Sequence, residues 1–284
     1  MKEINVALSG GGLKSFAQIA VLYELEKRNI KISAISGTSM GSMIATLIAL
    51  GLDAQSIEKE MLELESIFDK NHILFKPSPK ILPFKQDKIT GGYIDGGAIE
   101  LILDNLFDKY GIKNINEVKI PLAIPSVDLK TGQLIVFVND KDTYLSPDST
   151  HIIIDDIKLS TAIRASSSIP FVFSACAYED YLLIDGGVKL NVPVSLLKGF
   201  SSNKTLAITA KDEIDTLDKR PGIFELINQV YAIISTEFDI YLSKEADYSI
   251  NFPVGRKQFS LGKGKEIIEN AHSYLANIDD FLKN

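Results

Sequence analysis

The stretch Ile32-Ser33-Ala34-Ile35-Ser36-Gly37-Thr38-Ser39-Met40-Gly41, continuing into Ser42-Met43-Ile44-Ala45-Thr46-Leu47-Ile48-Ala49-Leu50, decides how this chain folds. Its first five residues read as a strand and its last eight as an apolar helix. Between them stands Gly37-Thr38-Ser39-Met40-Gly41, a G-x-S-x-G pattern in the strand–turn–helix setting that gives it chemical meaning. Such a turn lifts a serine oxygen clear of the backbone. Glycine on either side removes the Cβ atoms that so sharp a bend would crowd. The helix that follows aims its N-terminal N–H groups and positive dipole end at the place where an oxyanion would form. Ser39 is therefore the first candidate nucleophile, with Gly37 and Gly41 as its flanking residues.

On the N-terminal side, Ile4 to Leu8 reads as a strand and Phe16 to Arg28 as an amphipathic helix, so the first fifty residues alternate β, α, β, α. Crossovers of this kind put parallel strands under covering helices, an α/β fold. On the C-terminal side, Asp53 is placed to cap a helix running to about Phe68, and a further helix is expected over Asp95 to Tyr110. Leu122 to Val127 and Gln133 to Val138 are expected to form a hairpin turning at Lys130-Thr131-Gly132. Later strands are expected at Tyr181 to Ile184 and Thr205 to Thr209, and a closing helix from Lys265. The helix expected from Gly222 to about Leu242 is apolar nearly all round. Its simplest reading is a buried helix, and the second is a dimer or membrane surface.

No Pro/Gly/Ser linker divides the chain. One domain over 1–284 is expected, with the motifs in 4–210 and a C-terminal helical part, 221–284, packed on it. Residues 73–93 stand apart, because they mix apolar side chains with lysines and prolines. A segment of that kind reads as an ordinary irregular excursion packed on the domain, with a lid or a peripheral membrane contact as the second reading.

Composition narrows the function. The chain has 284 residues, 45% hydrophobic, with a net charge of −7 and no basic run, which excludes nucleic acid as the main partner. One cysteine, Cys176, excludes an internal disulfide framework and reads as a small buried side chain. The N-terminus enters a strand at once without a signal-peptide layout, so a cytoplasmic protein is expected, peripheral to a membrane if it meets one.

Strand one runs into Ser9-Gly10-Gly11-Gly12-Leu13-Lys14-Ser15. A dinucleotide fingerprint would need glycine at position 15, and a phosphate-binding P-loop would need glycine at 13. An oxyanion hole made by Gly10, Gly11 and Gly12 fits better, since adjacent parallel strands end side by side. A serine needs a base, and the three histidines (His72, His151, His272) all lie outside functional-looking turns. Asp185 ends the strand-like Tyr181-Leu182-Leu183-Ile184 and is followed by Gly186-Gly187. It can serve as the acid of a triad completed by His272, or as the base itself if partly desolvated.

Gly10-Gly11-Gly12, Gly37-Thr38-Ser39-Met40-Gly41 and Asp185-Gly186-Gly187 occur in the order and spacing of the patatin-like phospholipases. The segments Ala162-Ile163-Arg164-Ala165-Ser166-Ser167-Ser168-Ile169-Pro170 and Leu190-Asn191-Val192-Pro193 resemble that family as well. The resemblance spans about 4 to 210. It implies a three-layer α/β/α fold with a mostly parallel central sheet and a Ser–Asp dyad without histidine. Ser39 would then be the nucleophile, Asp185 the general base and Gly10 to Gly12 the oxyanion hole. The substrate would be a phospholipid or another acyl ester, with no metal and no organic cofactor. A small-molecule carboxylesterase and a catalytically silent lipid-binding protein remain the alternatives. Asp95-Gly96-Gly97 is read as a helix cap, and Arg164 as a buried structural ion-pair member. Lys14-Ser15 departs from the family's Arg-Gly.

Overall fold

The computed structural model describes residues 2–73, 92–212, 222–254, 261–278 and 282. Of the 73–93 segment, read as an irregular excursion with a lid or membrane contact as the second reading, residues 74–91 lie outside the described residues.

Strand β1 (Lys2–Leu8) leads through a 3₁₀ turn, Gly12–Gln18, into α1 (Ile19–Lys27), so the expected helix from Phe16 begins as a tighter coil. Strand β2 (Ile30–Gly37) runs into α2 (Met40–Ala49). Helix α3 (Ala54–Lys70) is capped by Asp53, whose carboxylate accepts the Ser56 N–H at 2.8 Å. After β3 (Gly92–Ile94) and α4 (Gly97–Asp108), β4 (Leu122–Asp128) and β5 (Leu134–Val138) form the expected hairpin. The Asp128 carboxylate ties that turn by accepting the backbone N–H groups of Lys130 and Thr131.

The chain continues through β6 (Ile152–Ile154), α5 (Leu159–Ser166), β7 (Phe171–Phe173), β8 (Cys176–Tyr178) and β9 (Tyr181–Asp185). Two short helices, α6 (Gly187–Leu190) and α7 (Val194–Leu197), precede β10 (Thr205–Asp212). Then come α8 (Ile223–Ser243), β11 (Tyr248–Val254) and α9 (Gly264–Ala276). The C-terminal part expected to be helical thus also contributes a strand.

The central sheet runs β11-β10-β1-β2-β4-β5-β6, parallel except where β4 meets β5. Strand β9 joins β4 antiparallel and carries β8 on its far side. Period-2 alternation sorts the core into two layers. Ile4, Val6 and Leu8 of β1 face a cluster with α1, α2 and α3, whereas Ala7 faces a second cluster with Leu190, Val194 and Leu197 of α6 and α7. Helices cover both faces of a mostly parallel sheet, the three-layer arrangement the resemblance implied.

The register along β4 positions the site. Strand β5 takes one edge of β4 over residues 123–127, so β2 and β9 share the other. Strand β2 arrives parallel, with Ser36 opposite Ala123, and β9 arrives antiparallel, with Asp185 opposite Ser126. Their C-terminal ends therefore face each other along a single strand edge. Ser39 lies just past one end and Asp185 at the other.

Candidate active site

The turn after β2 is as tight as the glycine spacing implies. A Cβ on Gly37 would sit 2.4 Å from the carbonyl oxygen of Gly41, and one on Gly41 would sit 2.5 Å from that of Ser9. Ser39 itself adopts φ 53°, ψ −127°, a conformation non-glycine residues reach only under restraint. The restraint is visible in the neighbouring bonds. The Ser39 N–H donates to Ser166 Oγ at 3.0 Å, Ser42 Oγ donates to the Ser39 carbonyl at 2.5 Å, and Thr38 Oγ1 donates to the Leu190 carbonyl at 2.9 Å.

The Ser39 hydroxyl lies close enough to the Asp185 carboxyl to favour its ionised form, and that carboxylate accepts the Gly187 N–H at 2.7 Å. Asp185 is 1% exposed. Burial pushes its carboxyl up to about 7, outweighing the lowering effect of those two groups. Gly186 passes so close to β4 that a Cβ there would lie 2.3 Å from the Pro125 carbonyl oxygen.

The end of α5 clamps both partners. The Ser166 carbonyl accepts the Gly186 N–H, the Ser168 carbonyl accepts the Asp185 N–H at 3.0 Å, and Ser166 Oγ holds Ser39. Arg164, 4% exposed, fixes this corner by donating to Ser168 Oγ and to the Ser174 carbonyl. Its direct bonds go to neutral serine groups, with Glu100 and Asp95 near enough to favour its charge. The expected ion-pair member is thus a hydrogen-bonded strut. Arg164→Met is expected to cost at least about 2 to 3 kcal/mol, because it leaves buried acceptors without a donor. A thermal melt against wild type checks this.

Of the three expected oxyanion glycines, Gly10 already has a partner. Its N–H donates to the Asn191 carbonyl at 3.3 Å, which the turn after β9 brings alongside. Gly11 and Gly12, at φ 149° and 58°, line the cleft with N–H groups that have no partner among the described residues. Ser15 turns away from the cleft, its hydroxyl donating to the Ser9 carbonyl at 3.3 Å. Lys14 is buried and lines the cleft.

His272 does not complete a triad. It sits on α9 against the ring of Tyr23, with centroids 5.1 Å apart, on the face of the molecule packed by α1. Asp95 stands one residue before Gly96, the N-cap of α4, and its carboxylate accepts the Gly97 N–H at 3.1 Å. Cys176 is buried, and burial raises its thiol to about 11.

Above the pair opens a cleft of about 470 Å³. Gly11, Gly12, Ser39 and Asp185 line it, and its walls are largely apolar: Ile169, Phe171, Val188 and one side of α8. That helix corrects an expectation. Rather than being buried, α8 leaves Leu226, Val230, Ile234 and Phe238 exposed, Ile234 by 65%, while the same four residues line the cleft. Hydropathy reports how apolar a helix is, not which medium meets it. Sequence reasoning also missed Ser166, Ser168 and Asn191. They lie inside segments with a family look, but their bonds to Ser39, Asp185 and Gly10 join positions that the sequence keeps several elements apart.

A strand–turn–helix serine and a buried aspartate thus line one apolar cleft on a three-layer α/β/α scaffold. The Patatin-like phospholipase family model matches residues 6–198, and the chain belongs to that family. An uncharacterized protein of Acanthamoeba polyphaga mimivirus is 29% identical, covering 93% of this chain and 89% of that one. An uncharacterized NTE family protein of Mycobacterium bovis is 26% identical over 84% of this chain, which spans only 58% of that protein. A probable lipid hydrolase of Invertebrate iridescent virus 6 is 24% identical over 70% of this chain and 65% of its own length. Among solved structures, VipD of Legionella pneumophila shares the fold with a TM-score of 0.51 at 13% identity, covering 96% of this chain and 65% of that one.

Proposed function

We propose that the protein is a serine lipid acyl hydrolase of phospholipase A or lysophospholipase type, working through a Ser39–Asp185 dyad. The observation that carries this reading is the Ser39 hydroxyl beside the buried Asp185 carboxyl, both in the lining of one apolar cleft. In this reading Asp185, ionised, accepts the Ser39 proton as Oγ attacks the ester carbonyl. The N–H groups of Gly11 and Gly12 receive the oxyanion of the tetrahedral intermediate. The alcohol or lysolipid leaves with the proton held by Asp185. Water then attacks the acyl-Ser39 ester, with Asp185 again as base, and releases the fatty acid. Apolar walls suit an acyl chain, and the reducing cytoplasm proposed as its setting suits a lone buried cysteine.

The test is a fluorophosphonate probe with mass analysis of the adduct, alongside hydrolysis of phosphatidylcholine and of short and long p-nitrophenyl esters. Labelling at Ser39 with fatty-acid release from phosphatidylcholine supports the whole reading. Cleavage of short esters alone leaves the mechanism and removes the lipid substrate. Absence of labelling and of hydrolysis removes both.

The pH profile supplies an independent check. A base must be ionised to act, and burial holds the Asp185 carboxyl near 7 rather than near 4. The kcat/KM for a short ester is expected to fall as pH drops through about 7, with one proton taken up. A rate flat from pH 5 to 8 would point to a base other than Asp185.

A further inference from the structure

Helix α8 meets the sheet with a mixed side: Gln229, Ala232 and Leu242 are buried, and Thr236, Asp239, Ile240 and Ser243 line a cavity of about 20 Å³ with Thr209, Ala210 and Asn251. Asp239 accepts a hydrogen bond from Asn191 at 2.7 Å, and Asn191 in turn holds Gly10. The outer side is apolar. Beyond the four residues shared with the cleft, Ile233 and Tyr241 stand exposed on it, Tyr241 by 66%. Phe171, 62% exposed, and Val188 extend the same apolar surface around the cleft mouth. A contiguous exposed patch of this kind marks an interaction site.

Two observations identify the occupant. Leu226, Val230, Ile234 and Phe238 belong to the exposed face and to the cleft wall at once, so whatever covers the face also covers the mouth. A protein surface seated there would seal the cleft, whereas a lipid surface would feed it. Charge then selects the lipid. Residues 223–243 contain no Lys or Arg, and the exposed face carries Glu237 among its apolar residues. Anionic head groups would be repelled.

We propose that the outer face of α8, with Phe171 and Val188, docks the protein onto a zwitterionic or uncharged lipid surface and opens the cleft directly to it. The choice of lipid over protein rests on the acyl-hydrolase reading of the cleft. No described helix is long and apolar enough to cross a membrane, so the contact is with the surface.

The experiment measures vesicle co-sedimentation of the Ser39→Ala protein, which binds without consuming lipid. Phosphatidylcholine vesicles are compared with phosphatidylcholine containing phosphatidylglycerol. Ile233→Asp/Tyr241→Asp changes the face without touching a cleft residue. It is expected to weaken binding to phosphatidylcholine at least tenfold, while in the wild-type background short-ester hydrolysis stays within about twofold. Glu237→Lys, a separate variant, is expected to raise binding to the anionic vesicles roughly tenfold. Unchanged binding by the double variant, or wild-type preference for the anionic vesicles, overturns the proposal. So does a wild-type dimer that binds no vesicles and that the double variant dissociates. If vesicles are bound through this face but no ester is cleaved by wild type, docking stands and the hydrolase reading falls.

Discussion

Ser39→Ala is expected to lower ester hydrolysis by at least about 10⁴-fold, and Asp185→Asn by a comparable factor, with the double variant little worse than either alone. Residues that act as one unit show this non-additivity, since a nucleophile without its base and a base without its nucleophile are equally idle. The two variants part company in stability. The folded state holds the Asp185 carboxyl near 7, above its unfolded value near 4, so the native protein keeps a proton that the unfolded chain gives up. The stability this proton confers is fully present below pH 4. It drains away as pH rises and is gone above about 7, where the ionised carboxylate is buried at a cost of up to roughly 4 kcal/mol. Asn carries no charge to bury and keeps an oxygen for the Gly187 N–H. Asp185→Asn should therefore melt above wild type at pH 8 and alongside it near pH 4. Equal melting temperatures at both pH values would show that the carboxyl is not held up as described.

Gly41→Ala is the second large effect, this time on folding. The added Cβ would lie 2.5 Å from the Ser9 carbonyl oxygen and 2.8 Å from that of Leu8, both backbone atoms at the end of β1. A side chain can swing away from such a clash; a strand end cannot. Helix α2 must move off β1, with an expected loss of roughly 3 kcal/mol or more and a fall in melting temperature of about 10 °C. Activity should fall further than stability, because even 1 Å of displacement at a reacting group costs about 10² in rate. Gly132→Ala is the control. Its φ is +72° and nothing lies within 4 Å of the added carbon, so only the backbone cost of about 1 kcal/mol applies. Similar melting temperatures for the two variants would remove the close approach as the reason for Gly41.

Much of this site is readable from residues in order. The apolar run before Gly37 and the helix after Gly41 specify a local turn, and local geometry is what spacing encodes. The Asp185-Gly186-Gly187 run at a strand end is similarly local. What spacing does not encode is how distant segments share hydrogen bonds. The Gly10 N–H reads as free until Asn191 is seen beside it, and Ser166 reads as one serine among three until its hydroxyl meets Ser39. Short strands such as β6, β7 and β8 are held by their neighbours rather than by their own three residues. The reading of α8 failed for a related reason. Its composition is apolar enough for a core, yet Thr236, Asp239 and Ser243 share the inward side with Ala232 and Leu242.

Strand β4 leaves the two proposed reacting groups, Ser39 and Asp185, as marks on one ruler. Ser36 and Asp185 are registered against Ala123 and Ser126, three residues apart on a strand whose every residue is buried. A displacement of β4 would carry both marks together. The walls of the cleft are not tied to β4 in this way, since α8 and Phe171 hang from other parts of the chain. Under the proposed hydrolase reading, substitutions at Leu226, Val230 or Phe238 alter which acyl chains fit without moving Ser39 against Asp185.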